Sequence, residues 1–257
     1  CLSRGLGDVY KRQAQECMRG RHWSAALWHL DRLLKSEPDN WLHHARHGLA
    51  LAELDRWSEA SADFAEVVRR APAETEAWCL YALLRLQAGD TAGYRRACAA
   101  LLQRQEKSDD PRTAYLTAWA GVLAEDSGVK AARLVELAQR AVTHEPRDPD
   151  YVCTLGAALF RAGKLEQAAR CLNEALTLGG RRPSAREWLW LALVRSRMGL
   201  PIEARQWLDK ATASLAARAS DHDKAGGTSM SWVRRLQLNL LRREAERVLK
   251  SDKPSGK

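Results

Sequence analysis

The chain is poor in the features that membrane proteins and disulfide-linked proteins carry. Its 257 residues include only two phenylalanines and three methionines, and no apolar run approaches the roughly 18 residues of a membrane-spanning helix. No secretory leader is recognisable. The six cysteines occur singly, without a Cys-x-x-Cys pair, which favours buried free thiols in a reducing cytosol over disulfides. We therefore expect a cytoplasmic protein without a membrane contact.

Catalytic motifs are also lacking. The sequence has no Gly-x-Ser-x-Gly, no cysteine–histidine signature and no glycine loop of the kind that holds phosphate. Carboxylates are numerous, but they recur with basic residues at helical spacing, as Glu166 does with Arg170, which is typical of a solvated helix surface. We expect no catalysis and no cofactor.

One histidine cluster raises the question of a metal. His43 and His47 are four residues apart and would share a helix face, with His44 beside them. No Glu stands in a His-Glu-x-x-His arrangement, and no third ligand follows from the spacing. Ordinary helix residues are favoured over a metal site.

The charge is basic, with a formal net charge of +9. Such an excess attracts nucleic acid, anionic lipid or acidic proteins. Here it is spread along the chain as single arginines and Arg-Arg pairs, without a basic arm. An arginine-rich bacterial composition explains it better than nucleic-acid binding does, although that alternative stays open.

What the sequence does contain is a repeat of 34 residues. The first two copies align as Trp23, Ala26, Leu30 and Pro38 with Trp57, Ala60, Phe64 and Pro72. Farther on, the same spacing relates Leu134, Ala138, Ala141 and Pro146 to Ala168, Leu172, Ala175 and Gly180. A fixed period of this size indicates a solenoid, in which each repeat buries its apolar face against its neighbours.

These residues resemble the tetratricopeptide repeat (TPR) family, whose pattern is W-x2-L-G-x2-Y, then A-x3-F, then P. The resemblance covers 14–218 in about six repeats, the third and fourth of them degenerate. It implies an all-α fold, a right-handed α-solenoid of antiparallel helix pairs. Glycines at 89, 163 and 199 are expected to end first helices in the left-handed conformation, and prolines at 38, 72 and 146 to follow second helices.

The two ends of the chain differ from the repeats. It opens at Cys1 rather than Met, which suggests a fragment, and residues 1–13 resemble translated sequencing-adapter sequence that we expect to lie outside the fold. After the repeats we predict a loop at 219–230, a capping helix at 231–250 and a disordered tail at 251–257.

The family resemblance also implies where a partner would bind, because the first helix of each TPR lines a concave groove. Carried onto this chain, the groove positions give the candidate partner-binding residues Leu49, Glu53, Leu83, Gln87, Phe160, Arg161, Arg186, Leu193 and Arg197. The leucines and the phenylalanine would anchor an amphipathic helix or a peptide, and the arginines would select acidic character in it.

A narrower resemblance concerns the whole stretch from about 45 to 250. Strings such as YVCTLGAALFRAGKLEQAARCLNEAL resemble the C-terminal repeat tails of large planctomycete proteins that carry WD40 propellers or serine/threonine kinase domains. This implies a protein-interaction tail of a signalling or scaffold protein. Two alternatives remain: a structural domain that self-associates or docks on its own parent, and a basic surface that binds nucleic acid.

Overall fold

The computed structural model describes residues 2–180, 185–225 and 230–251. Within these residues the chain is all α-helical and has the architecture of an α-solenoid. The helices of the first three repeats are α1 (Leu2–Arg19), α2 (Trp23–Ser36), α3 (Trp41–Glu53), α4 (Trp57–Arg70), α5 (Thr75–Gln87) and α6 (Thr91–Gln105). Those of the next three are α7 (Pro111–Val122), α8 (Ala131–His144), α9 (Pro149–Arg161), α10 (Leu165–Leu178), α11 (Ala185–Arg197) and α12 (Pro201–Ala225), and α13 (Trp232–Ser251) follows.

The chain divides into two compact bodies, an N-terminal body of residues 1–104 and a C-terminal body of residues 105–257. In the N-terminal body α1 packs on α2, α3 on α4, and each second helix on the first helix of the next repeat. In the C-terminal body the pairs are α7 with α8, α9 with α10, and α11 with α12. No helix in the described part of the chain is long and apolar enough to cross a membrane.

Glycine and proline end the helices as the sequence predicts. Gly89, Gly163 and Gly199 have φ values of 72°, 73° and 75°, the left-handed region that glycine enters at least cost. In the first two repeats the same turn is made by Arg21 and Asp55, each with φ of 59°, which the sequence analysis does not anticipate. Each of α2, α4 and α8 ends two residues before its proline.

Close helix approach depends on small residues. Gly156 in α9 faces Leu172 in α10, and a Cβ atom on the glycine would lie 2.8 Å from Leu172 Cγ. Gly48 in α3 faces Asp63 and Phe64 in the same way, at 3.1 Å. The two helices of a repeat can therefore pack closely only because these positions lack a side chain.

The structure differs from the predicted ends of the chain in two places. Residues 2–13, which we expected outside the fold, form most of α1, and Lys11 pairs with Glu37 across 2.9 Å. The predicted loop at 219–230 is wrong over 219–225, because α12 continues to Ala225. The polar composition of this segment suits a helix as well as a loop. Of the rest, 226–229 and the predicted tail beyond Ser251 lie outside the described residues.

Candidate functional site

The predicted groove residues lie on four first helices and divide between the two bodies. The N-terminal set consists of Leu49 and Glu53 on α3 with Leu83 and Gln87 on α5. The C-terminal set consists of Phe160 and Arg161 on α9 with Arg186, Leu193 and Arg197 on α11. We call the side of α3 and α5 that carries the first set the N-terminal inner face. The side of α9 and α11 that carries the second set is the C-terminal inner face.

The N-terminal inner face is open in part. Leu49, Glu53 and Gln87 are half-exposed, and Leu42, one α3 position that the same resemblance assigns to the groove, is 39% exposed. Leu83 is fully buried, so its prediction as a partner contact is wrong: the side chain belongs to the core of the body. The remaining residues offer a shallow apolar surface edged by polar groups.

Most of the C-terminal inner face is buried, with Arg197 as the exposed exception. Phe160, Leu193 and Arg186 are only 3%, 1% and 4% exposed, so none of them can meet a partner from outside in this arrangement. The ring of Phe160 lies 5.8 Å from that of Trp190, and the guanidinium of Arg161 lies 5.1 Å from the same Trp190 ring. These predicted anchors are therefore wrong as exposed residues, because the chain itself buries them.

Helix α13 contributes to this cover through Glu244, which contacts Arg161. It packs against α11 and α12, and it buries an apolar stripe against them. The stripe consists of Trp232, Leu236, Leu241, Ala245 and Leu249. This is the way in which the sequence analysis expects a partner helix to bind, with the apolar face of an amphipathic helix buried against the first helices. The predicted capping helix thus lies over the inner face and not only at the end of the stack.

An ion pair joins α13 to α9. Arg161 Nη1 lies 2.5 Å from Glu244 Oε1, and Arg161 Nη2 donates to Glu244 Oε2 at 2.8 Å, a bidentate geometry. The same guanidinium donates from Nε and Nη2 to the carbonyl oxygen of Val122, at the end of α7, at 3.1 and 3.0 Å. Both side chains are nearly buried, with 4% of Arg161 and 10% of Glu244 exposed.

The other two arginines of the predicted site also have partners within the chain. Arg186 Nη1 lies 2.6 Å from Asp150 Oδ1, and Arg186 Nη2 lies 2.5 Å from Glu187 Oε1. Arg197 is exposed and pairs with Glu125 at 2.5 Å. The prediction that these arginines select an acidic partner is therefore corrected, since each already neutralises a carboxylate of its own body.

The histidine cluster is a structural network in the N-terminal body. His44 Nδ1 lies 2.9 Å from Asp63 Oδ1, and His47 Nδ1 lies 2.6 Å from Asp63 Oδ2, while His47 Nε2 lies 3.2 Å from Asp31 Oδ1. Burial lowers the pKa of His47, but the hydrogen bond and charge of Asp63, with help from Asp31, outweigh it and raise that pKa overall. Asp63 therefore ties α3 to α4 through two histidines.

The buried histidine of the cluster behaves in the opposite way. Burial lowers the pKa of His43 more than the nearby carboxylate of Glu37 raises it, so the neutral ring is favoured. Within the described residues no group of three or more His, Cys, Asp or Glu side chains is arranged to hold a metal ion.

The described cysteines are free thiols, and three of them are buried: Cys79, Cys98 and Cys153. Burial raises the pKa of the Cys98 thiol to about 12 and that of Cys153 well above its ordinary value. A thiol that stays protonated is a poor nucleophile, which leaves these side chains as small apolar residues of the core.

Sequence reasoning missed the residues that close the C-terminal inner face. Glu244 is separated from Arg161 by 83 positions, and no spacing rule connects them. The available signal was Glu244 itself, a carboxylate beside Ala245 and close to Leu241, at the edge of the apolar stripe of α13. An acidic residue at the edge of an apolar stripe is expected to be partly buried when the stripe packs against another helix.

Solved structures of TPR proteins share this fold. PilW, described as a widely conserved type IV pilus biogenesis factor, superposes with a TM-score of 0.59 at 16% identity, over 82% of this chain and 94% of its own. A tetratricopeptide repeat protein from Parabacteroides merdae gives a TM-score of 0.59 at 16% identity, over 91% and 84%. MamA from Desulfovibrio magneticus gives 0.54 at 22% identity, over 70% and 98%.

At such identities the likeness shows the fold alone, which is that of TPR proteins. No family model matches the sequence, and no curated protein matches it either.

Proposed function

We propose that the chain is a non-catalytic protein-interaction module whose inner faces bind amphipathic helices or peptides of partner proteins. One observation carries the proposal: α13, an amphipathic helix, lies on the C-terminal inner face with its apolar stripe buried and Glu244 paired to Arg161. A groove that holds one such helix in cis has the shape and chemistry to hold one in trans. The TPR-like fold of the chain also supports a role in binding partner proteins.

The N-terminal inner face is the surface that we assign to an external partner. Leu42 and Leu49 are exposed or half-exposed there, and Glu53 and Gln87 lie beside them. Aliphatic side chains in a shallow groove provide the anchors of a helix interface, and polar groups around them provide its rim. The partner that fits this surface is amphipathic. An acidic partner is not implied, because the arginines that predicted one lie on the C-terminal inner face and pair within the chain.

A second function is favoured by the same helix. In this alternative the C-terminal body, whose inner face α13 contacts through Glu244, is a structural domain that self-associates or docks on its parent protein. This arrangement suits a tail of a larger scaffold or signalling protein of the WD40 or kinase type, which is the parent that the sequence resemblance implies. A cytoplasmic location belongs to the same proposal.

The test is affinity purification with the whole chain as bait, followed by mass spectrometry. The variant Leu42→Glu/Leu49→Glu places two charges on the N-terminal inner face. The control is Ile202→Glu, which changes a 76% exposed residue of the C-terminal body in the same chemical way. Circular dichroism confirms that both variants are folded.

We expect proteins that the wild-type chain and Ile202→Glu recover and that Leu42→Glu/Leu49→Glu loses. The same proteins recovered with all three baits would refute partner binding at this face. An empty list from all three would refute it as well and leave the intramolecular role.

A further inference from the structure

The contact between α13 and the C-terminal inner face combines an apolar stripe with buried charge. The stripe begins at Trp232 and continues at intervals of four or five residues to Leu249, as one face of a helix does. Glu244, 9% exposed, enters the contact with it. Arg243 and Arg247 remain exposed on α13 outside the contact.

Burying the charges in this contact costs desolvation free energy. Arg161 and Glu244 leave water to form their pair, and buried pairs of this kind contribute little net stability compared with apolar side chains of similar size. Near the start of α13, burial lowers the pKa of Arg234, and the positive charge of Arg186 lowers it further. Arg186 is itself paired with Asp150 and Glu187, and both carboxylates raise the pKa of Arg234. Toward the other end of α13, Glu244 pairs with Arg161.

The contact of α13 with α9 differs from the contact of α9 with α10. Gly156 and Leu172 meet through apolar atoms at close range, whereas α13 meets α9 through the charged pair of Arg161 and Glu244. Interfaces between parts that exchange are more polar than permanent cores, and charged pairs in them determine which partner is accepted. The α13 contact combines an apolar stripe with one charged pair, and such a pair discriminates between the helices that could occupy the face.

We infer that α13 is a resident ligand of the C-terminal inner face, and that a partner helix of the same chemistry replaces it. That helix is amphipathic, with a tryptophan at its start, leucines at helical spacing, and a glutamate twelve residues after the tryptophan that pairs with Arg161. The inference rests on the proposed function and extends it to a second face with a defined ligand.

The experiment measures binding of a fluorescent peptide with the sequence of residues 230–251, MSWVRRLQLNLLRREAERVLKS, to the whole chain by anisotropy. In the chain variant Glu244→Arg, the resident helix presents a positive charge to Arg161 and is weakened. The matched control is Glu246→Arg, which makes the same charge change two residues on, at a side chain that is 40% exposed.

We expect the peptide to bind Glu244→Arg at least roughly tenfold more tightly than it binds wild type or Glu246→Arg, because the weakened resident helix competes less. A peptide that itself carries Glu244→Arg should lose this binding, since it cannot pair with Arg161. Equal affinity of the native peptide for all three chains would overturn the inference.

A second measurement covers the case in which Glu244→Arg fails to fold. Hydrogen exchange of α13 in the wild-type chain is followed with and without a large excess of the native peptide. Faster exchange of α13 in the presence of the peptide supports replacement, and unchanged exchange refutes it. Neither result depends on Leu42 or Leu49, so the failure of this inference is distinguishable from failure of partner binding at the N-terminal inner face.

Discussion

At the residue scale, Gly156 determines how closely α9 and α10 pack in the C-terminal body. A Cβ atom there would lie 2.8 Å from Leu172 Cγ and 2.9 Å from Leu172 Cδ2, and Leu172 is fully buried. The absence of a side chain at this one position therefore allows α9 and α10 to approach.

We predict that Gly156→Ala lowers the free energy of unfolding by about 1–2 kcal/mol, because overpacking outweighs the better helix propensity of alanine. Gly7→Ala in α1 is the control: no atom lies within 4 Å of the added methyl group, so it should be neutral or stabilise the protein by up to about 1 kcal/mol. Urea denaturation followed by circular dichroism measures both. Equal effects of the two substitutions would contradict this packing role.

A second prediction at this scale concerns His47. Its pKa is raised in the folded state, so its protonated form stabilises the N-terminal body below the ordinary histidine pKa of about 6.5, and this stabilisation is lost as the pH rises through the folded value. His47→Gln should therefore cost more stability at about pH 6 than at about pH 8. Denaturation curves across this range check it.

The control for this prediction is His22→Gln, at an exposed histidine of the same body. If His47→Gln and wild type show parallel pH profiles, the assigned coupling of His47 to Asp63 and Asp31 is wrong.

At the element scale, the first helices of repeats four and five begin at aspartate caps. Asp148 Oδ1 accepts hydrogen bonds from the backbone N–H groups of Asp150 and Tyr151 at 2.8 and 3.0 Å, and Pro149 takes the first helical position. Asp110 caps α7 in the same way. These caps satisfy backbone donors that the helix leaves without a partner.

We predict that Asp148→Ala lowers the free energy of unfolding by about 1 kcal/mol, whereas Asp148→Asn, which keeps an acceptor oxygen, costs a few tenths at most. Thermal or urea unfolding compares the two variants. A loss of the same size in both would show that the negative charge, rather than the hydrogen-bonded cap, accounts for the effect.

The sequence predicts the elements well where a local signal ends a helix. Glycine and proline act within a few residues, so the turns at Gly89, Gly163 and Gly199 could be predicted from spacing alone. The turns at Arg21 and Asp55 could not, because no glycine marks their left-handed backbone in the sequence. The same reason explains the continuation of α12 to Ala225, where polar composition gives no signal that separates helix from loop.

At the scale of the whole molecule, the two bodies differ in how their inner faces are used. Leu49, Glu53 and Gln87 remain half-exposed in the N-terminal body, whereas Phe160, Arg186 and Leu193 are buried in the C-terminal body. The repeat pattern predicts the same groove positions on every first helix, so it cannot distinguish the two inner faces. Which face is covered depends on where α13 packs, and that contact is distant in sequence.

The net charge of +9 also belongs to this scale. Ion pairs such as those of Arg161, Arg186 and Arg197 leave this net charge unchanged, because their carboxylates are already counted in it, but the excess is spread along the sequence without a basic arm. We predict only weak duplex DNA binding at low salt, lost by about 150 mM. An electrophoretic mobility shift series in salt measures it, and tight binding that survives this salt concentration would restore the nucleic-acid alternative.

The central claim is that the C-terminal inner face holds an amphipathic helix through the pair of Arg161 and Glu244. Hydrogen exchange measured by mass spectrometry tests it directly on three forms of the whole chain: wild type, Arg161→Glu, and the charge swap Arg161→Glu/Glu244→Arg. We expect faster hydrogen exchange in α13 for Arg161→Glu than for wild type. We expect slower exchange again for Arg161→Glu/Glu244→Arg, because the double substitution restores a pair of opposite charges. Equal exchange of α13 in all three forms would contradict it.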